Sequence, residues 1–364
     1  MDSFAFIIHP IDPKRDVSRK FPLLGRVLTE GQINFFSTFF PPVYISEIEG
    51  LTSKTSGRQV KGWLVACPYT PQRMMDLPVR TVYRKIIQTG RMAEKLGAQI
   101  LGLGAFTSVV GDAGVTIARE LAVPVTTGDA YTVSIAVQAL RAAAEIMEIP
   151  LQNATAAVVG ATGAIGRVCA ELLAGDVGRL ILVARDAGRL EELCTRLRPS
   201  ARAELMVSTK MNSLAEAQLI LTVTSALHDV IHPADLQPGS VVCDVARPRD
   251  VSAMVAEARD DILVIDGGMV DVPGPVDFHF NFGFPPCKAY ACMAETMILA
   301  LEGRFEDYTV GKEITLDRVN EITALASKHG FSLSGFRSFE REVTQEQIEI
   351  VRRNARRASI ASRV

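Results

Sequence analysis

A chain of 364 residues with 48% hydrophobic content is long enough to bury two cores, and its formal charge of −2 provides no global basic field for nucleic acid. No apolar run is long enough to span a bilayer, and Met1 to His9 lack the basic start, long apolar core and small-residue cleavage site of a signal peptide. The expectation is a soluble, cytoplasmic protein without a transmembrane segment, with peripheral membrane contact left open; six scattered cysteines without a CxxC pair fit a reducing compartment and no metal site.

In chain order, residues 1–129 read as an α/β substrate domain. Val60 to Ala66 and Gln99 to Leu103 read as strands, and Val82, Ile86, Met92 and Leu96 recur at helical intervals before the stop at Gly97. An alanine-rich apolar stretch follows Thr126-Thr127-Gly128-Asp129 and ends at Pro150, so residues 130–150 are expected to form a connecting helix. Residues 151–284 hold short apolar runs at Thr155 to Val159, Leu180 to Ala184, Leu219 to Val223, Val241 to Val245 and Ile262 to Ile265. Separated by helix-length segments, they predict a doubly wound parallel sheet of Rossmann type, covered on both faces. Residues 285–344 should form C-terminal helices that pack back, followed by a basic tail over 345–364. The tail arginines Arg352, Arg353, Arg356, Arg357 and Arg363 either stay solvated or attract an acidic carrier or anionic lipid.

The run Gly160-Ala161-Thr162-Gly163-Ala164-Ile165-Gly166 spaces its glycines three apart between a strand and a helix, where dinucleotide phosphates bind. Gly160 would make the tight turn, Gly163 admit the pyrophosphate and Gly166 let helix and strand pack, whereas an ordinary glycine turn would need none of the strands that follow. The second strand ends in Ala184-Arg185, with Asp186 and Arg189 beyond, rather than in the carboxylate that would accept a ribose 2′-hydroxyl. Arg185 would pair with a 2′-phosphate, which points to NADPH. Thr224, Ser225 and Gly268 fall at carboxyl ends of later strands, the edge at which ligands bind.

Of the thiols, Cys169, Cys194 and Cys243 fall in apolar patterns and read as small core residues, while Cys67 and Cys287 neighbour prolines and could be exposed. A helix is expected from about Lys288 to Glu302, with Tyr290, Ala294, Met297, Ile298 and Leu301 on its apolar face. Cys292 projects almost opposite that face, near Glu295, Thr296 and Leu299, and so should face something other than the main core. A thiolate near a helix start should have a lowered pKa. Beside a hydride donor, such a thiol suggests thioester reduction.

With these residues in place, the chain from Phe4 to about Phe331 resembles the cyanobacterial-type long-chain acyl-(acyl-carrier-protein) reductases. The matching stretches are Arg15 to Arg19, Leu103 to Ser108, Thr126 to Gly128, Val158 to Gly166 and Ala291-Cys292-Met293-Ala294-Glu295. The resemblance implies NADPH-dependent reduction of a long-chain acyl thioester to a fatty aldehyde, with Cys292 carrying the acyl group covalently. It implies acyl carrier protein or acyl-coenzyme A as substrate and leaves room for an aldehyde-consuming partner enzyme. Family members look like Gly-Gly-Phe-Thr-Ser where this chain reads Gly104-Ala105-Phe106-Thr107-Ser108, and Asn-Thr-His-Thr where it reads Asp129-Ala130-Tyr131-Thr132. Gly104 to Ser108 would bind substrate, supplying backbone donors to an oxyanion or lining the acyl channel. Two other readings stay open: a shikimate-dehydrogenase-like NADP oxidoreductase without a covalent intermediate, suggested by Gly128-Asp129, and a non-catalytic NADPH-binding sensor.

Overall fold

Ser3 to Ile8 form a strand with five consecutive buried side chains, as a central strand covered on both faces must. The computed structural model describes residues 1–361, so Arg363 of the expected tail lies outside the described residues. After β1 (Ser3–Ile8) come α1 (Pro13–Lys20), α2 (Pro22–Val27), α3 (Glu30–Ser37), β2 (Val43–Thr52), β3 (Gln59–Ala66), α4 (Pro71–Asp76) and α5 (Val79–Leu96). Next are β4 (Leu101–Leu103), α6 (Phe106–Val109), α7 (Val115–Glu120), β5 (Val125–Thr126) and the long helix α8 (Asp129–Ile146). The second half holds β6 (Thr155–Val159), α9 (Ala164–Leu173), β7 (Arg179–Val183), α10 (Ala187–Leu197), β8 (Glu204–Ser208), β9 (Leu219–Thr222), β10 (Val241–Asp244), α11 (Ala253–Ala258) and β11 (Leu263–Asp266). The chain then runs through β12 (Met269–Asp271), β13 (Lys288–Tyr290), α12 (Ala291–Glu302), α13 (Leu316–His329) and β14 (Ser332–Leu333) to the final helix α14 (Gln345–Ala361).

Two compact units result, and both are discontinuous in sequence: Met1–Thr132 with Val270–Ser334, and Val133–Met269 with Gly335–Val364. The sequence reading expects consecutive blocks, because periodicity shows where elements lie but not where the chain returns. In the first unit the sheet order is β2-β3-β1-β4-β5, with β2 antiparallel and the other strands parallel. The order reverses direction between β1 and β4, which makes their carboxyl ends a topological switch point. Helix α12 packs on β1, β3, β4 and α13, and every residue from Met293 to Leu301 is buried.

The second unit is α/β with a Rossmann-type sheet in the order β11-β10-β9-β6-β7-β8, every strand parallel. Ala157, Val159, Ile181, Val183, Ile220 and Val242 share one apolar cluster on this sheet. Its switch point lies between β6 and β9. The sequence reading misses β8, whose half-buried side chains give a weak edge-strand pattern. Among the described residues no helix is long and apolar enough to cross a membrane.

Candidate functional site

At the switch point of the second unit, β6 runs directly into the glycine loop. Gly160 has φ +82°, and a Cβ there would lie 2.5 Å from the Val223 carbonyl oxygen, so neither the turn nor the approach to β9 tolerates a side chain. A Cβ on Gly166 would lie 2.2 Å from the Gly160 carbonyl oxygen, which explains why helix α9 can pack so closely on the loop. Gly163 is the N-cap of α9 and supplies no side-chain cap. The first-turn N–H groups of Ala164, Ile165 and Gly166 are therefore left for an outside acceptor. These features fit a dinucleotide pyrophosphate.

Arg185 is exposed just past β7. Beside it, the Asp186 carboxylate caps α10 by accepting from the Arg189 N–H at 3.1 Å. Arg189 Nη2 in turn donates to the Thr162 carbonyl at 3.1 Å, tying the region beyond β7 to the glycine loop.

Thr224 sits beside Gly160, within 3.3 Å of a Cβ placed there, and Ser225 next to it is exposed. Asp250 fixes Thr224 by accepting from its N–H at 2.8 Å and from its hydroxyl, and also accepts from the Thr222 hydroxyl at 2.6 Å. Asp244, pushed up to about 6 by burial, accepts from the N–H groups of Asp250 and Val251. Nothing in the sequence reading anticipates this carboxylate pair. Gly268 follows the edge strand β11, separated from the glycine loop by β9 and β10.

In the first unit the chemistry gathers at the carboxyl ends of β1, β4 and β5. Past β1, the Nε2 atom of buried His9 accepts from the Phe106 N–H at 3.0 Å. Burial lowers the His9 pKa to about 4, so it serves as a neutral acceptor. Past β4, Ala105 adopts φ 46°, and the Thr107 and Ser108 hydroxyls each donate at 2.7 Å to the carbonyls of Gly104 and Ala105. The run from Gly104 to Ser108 is thus a self-bonded turn held by His9.

Past β5, Gly128 has φ +80°, and a Cβ on it would lie 2.3 Å from Cys292 Cα. The loop from Thr126 to Asp129 is thereby pressed against the start of α12. Glu295, one turn along that helix and fully buried, clamps the loop. Its Oε1 accepts from the Thr126 and Thr309 hydroxyls at 2.5 Å and its Oε2 from the Tyr131 N–H at 2.8 Å, while the Gly128 N–H donates to the Thr126 hydroxyl oxygen at 3.5 Å. Cys292 and Glu295 are three residues apart, so one helix turn presents the thiol and the clamp together.

Cys292 differs from the sequence reading in two respects, the start of its helix and the direction of its pKa shift. Lys288 to Tyr290 form strand β13 rather than helix, which places Cys292 second in α12. Its neighbours Glu295, Thr296 and Leu299 are all fully buried, because α12 is inserted between the sheet and α13. The half-buried Cys292 itself lies against the Gly128 loop. Its pKa is not lowered: burial, with Asp129 and Glu295 adding to it, pushes it up to about 12 against the opposing backbone N–H groups of Met293 and Cys292. Asp129 is itself raised to about 7 by burial and by the Glu295 charge. The thiol and a carboxyl that titrates near neutrality thus share one electrostatic environment.

Among the competing thiols, Cys67 is fully buried and pushed up to about 12 by that burial. Cys287 is half-buried at φ 57° with its Sγ 3.7 Å from the Gly274 carbonyl oxygen, and Cys169, Cys194 and Cys243 are buried. From the N-cap Tyr290 a ladder of edge-to-face rings extends through Phe284, Phe282 and Phe278, with centroids 4.5, 5.2 and 5.0 Å apart. In the tail, Arg352 and Arg356 both pair with Glu148. Among the described residues no group of three His, Cys, Asp or Glu side chains could hold a metal ion.

Residues 141–266 match the family model described as shikimate / quinate 5-dehydrogenase. The chain is 32% identical over 354 residues to the aminotransferase PigE of Serratia sp., a match that covers 95% of this chain and 41% of PigE. It therefore spans about two fifths of that relative's length. It is 31% identical over 345 residues to the long-chain acyl-(acyl-carrier-protein) reductase of Synechococcus elongatus, covering 90% of this chain and 98% of that protein. Among solved structures, L-tryptophan dehydrogenase from Nostoc punctiforme aligns over 97% of this chain and 88% of its own at 13% identity, with a TM-score of 0.39.

Proposed function

The chain belongs to the family of the long-chain acyl-(acyl-carrier-protein) reductases and is a nicotinamide-dependent oxidoreductase, and from that premise we propose that it reduces long-chain acyl thioesters to fatty aldehydes through an acyl group carried on Cys292. The observation that carries this reading is the thiol at the uncapped start of α12, held against Gly128 and electrostatically coupled to Asp129. An unassisted thiol raised to about 12 is a poor nucleophile at neutral pH. Ionised Asp129 takes the Sγ proton, Sγ bonds to the acyl carbon, and the carrier sulfur leaves with the proton that Asp129 returns. First-turn N–H groups of α12, which no side chain caps, stabilise the oxyanion as the carbonyl is attacked. The ring ladder from Tyr290 to Phe278 gives a long acyl chain an apolar wall beside the thiol.

When bound, the reduced nicotinamide supplies the hydride that turns the enzyme thioester into aldehyde and frees the thiol. Gly160, Gly163 and Gly166 admit its pyrophosphate to the start of α9, and Thr224 borders that loop. Arg185, which follows a strand end that carries no carboxylate of its own, would pair with the 2′-phosphate of NADPH. The substrate is acyl carrier protein or acyl-coenzyme A.

The test is aldehyde formation, read by mass spectrometry, from C16 and C18 acyl donors of both kinds with NADPH. Cys292→Ala and Cys292→Ser should abolish it. Aldehyde formed at the wild-type rate by either variant would mean direct reduction without a covalent intermediate.

A further inference from the structure

Fourteen large hydrophobic side chains are exposed among the described residues, and nine of them fall between residues 21 and 44. Single exposed hydrophobics need no explanation, but a concentration of this kind marks an interaction surface. Leu23 and Val27 of α2 are 78% and 76% exposed, and Phe35 of α3 and Phe39 just beyond it are 53% and 70% exposed. The rings of Phe36 and Phe39 lie 5.4 and 5.6 Å from that of Phe35, so they form one cluster. This face is held from behind. Ile33 and Ser37 are the buried side of α3, Arg73 Nε donates to Thr38 at 2.6 Å, and Lys85 Nζ donates to the Phe40 carbonyl at 2.8 Å.

Charge says what covers it. Residues 13–40 carry five basic and two acidic side chains, and residues 71–85, which include α4 packed on α3, carry four basic and one acidic, in a chain whose net charge is −2. Lys14, Arg15, Arg26, Arg80 and Arg84 are all exposed. Apolar side chains on short helices, with cations around them, match an anionic bilayer interface. A protein interface would be expected to centre on Trp, Tyr or Arg anchors, whereas this cluster is built of Phe, Leu and Val.

We infer that the face formed by α2, α3 and the residues to Phe40 docks on an anionic lipid surface, with Leu23, Val27, Phe35 and Phe39 entering the interface and the arginines meeting the headgroups. This surface is independent of the reaction proposed above. The test is co-sedimentation of the full chain with phosphatidylcholine vesicles and with vesicles that also contain phosphatidylglycerol. Binding is expected to the second kind, weakened by salt as exposed charge pairing is. Removing a deeply seated Phe should weaken it about tenfold, so Phe35→Ser with Phe39→Ser should cost more than either alone. Leu23→Ser serves as an independent variant, and circular dichroism checks that each variant is folded. The inference is overturned by absence of vesicle binding, or by binding that these variants leave unchanged. It is equally overturned by a dimer in analytical ultracentrifugation that Phe35→Ser with Phe39→Ser dissolves, or by loss of affinity for an acyl carrier in variants that still bind vesicles normally.

Discussion

Glu295 is the residue on which the geometry around Cys292 most depends, and Glu295→Ala shows by how much. Its carboxylate is fully buried and accepts from two hydroxyls and the Tyr131 N–H. After truncation the Thr126 and Thr309 hydroxyls can rotate to other partners, but the Tyr131 N–H cannot turn away. Leaving it unsatisfied costs about 1–3 kcal/mol, and losing two hydroxyl bonds to a carboxylate adds to that, for about 2–4 kcal/mol in all. Against a typical total of about 5–15 kcal/mol, that is a large but survivable loss. Glu295→Gln should behave differently. Its amide oxygen can keep the Tyr131 donor while its NH₂ donates to hydroxyls that rotate to accept, so the cost should be within about 1 kcal/mol. Urea unfolding with an unchanged slope measures both variants. If Glu295→Ala unfolds within about 1 kcal/mol of wild type, or Glu295→Gln loses as much as Ala, the clamp is not what holds the loop.

Asp129→Asn should change the pH dependence. The carboxyl titrates at about 7 in the folded protein against an ordinary value of 3.8, so the stability linked to its protonation is complete below about 4 and is lost as pH rises through 7. The Asn variant should therefore gain on wild type across that window, by up to about 4 kcal/mol at pH 8. It should also lose the rise in kcat/KM through pH 7 that ionised Asp129 confers; identical pH–rate profiles would remove Asp129 from the chemistry. Gly128→Ala combines a left-handed φ with a Cβ 2.3 Å from Cys292 Cα. It should cost about 2–5 kcal/mol, read by thermal unfolding, and a near-neutral result would mean the loop and helix are not in contact. Arg185→Ala should raise KM for NADPH about tenfold or more and leave KM for NADH unchanged, the loss of a charge-assisted phosphate contact. An enzyme that already prefers NADH would refute the assignment.

The Rossmann half is legible because β6, β7, β9, β10 and β11 are short apolar runs in register with helix-length spacers, and the spacing of Gly160, Gly163 and Gly166 has few other uses. Thr224 is legible for the same reason, since it follows the strand across the switch point. The first unit is harder. Its helices α1, α2 and α4 are six to eight residues long and start at Pro13, Pro22 and Pro71, too short for a 3.6-residue period to emerge. Lys288 to Tyr290 carry no signal that separates the end of a strand from the beginning of a helix. Asp129 and Glu295 are hidden for a different reason: a carboxylate in a sequence reads as solvated until the fold shows it buried. The one available sign of Glu295 is its place three residues after Cys292 in Ala291 to Glu295, the spacing that puts both on one helix turn. Helical spacing turns Cys292 away from the apolar face of α12, and the fold lays the Gly128 loop against it, a contact that periodicity within one helix cannot name.

Transfer of the acyl group onto Cys292 can be read, apart from any later step, by intact-mass spectrometry of the protein mixed with a C16 acyl thioester and no reduced cofactor. One palmitoyl adduct is expected, which peptide mapping places on Cys292, which disappears on adding NADPH as aldehyde is released, and which Cys292→Ala cannot form. An unmodified protein that still makes aldehyde when NADPH is added, or an adduct on Cys67 or Cys287, would contradict it.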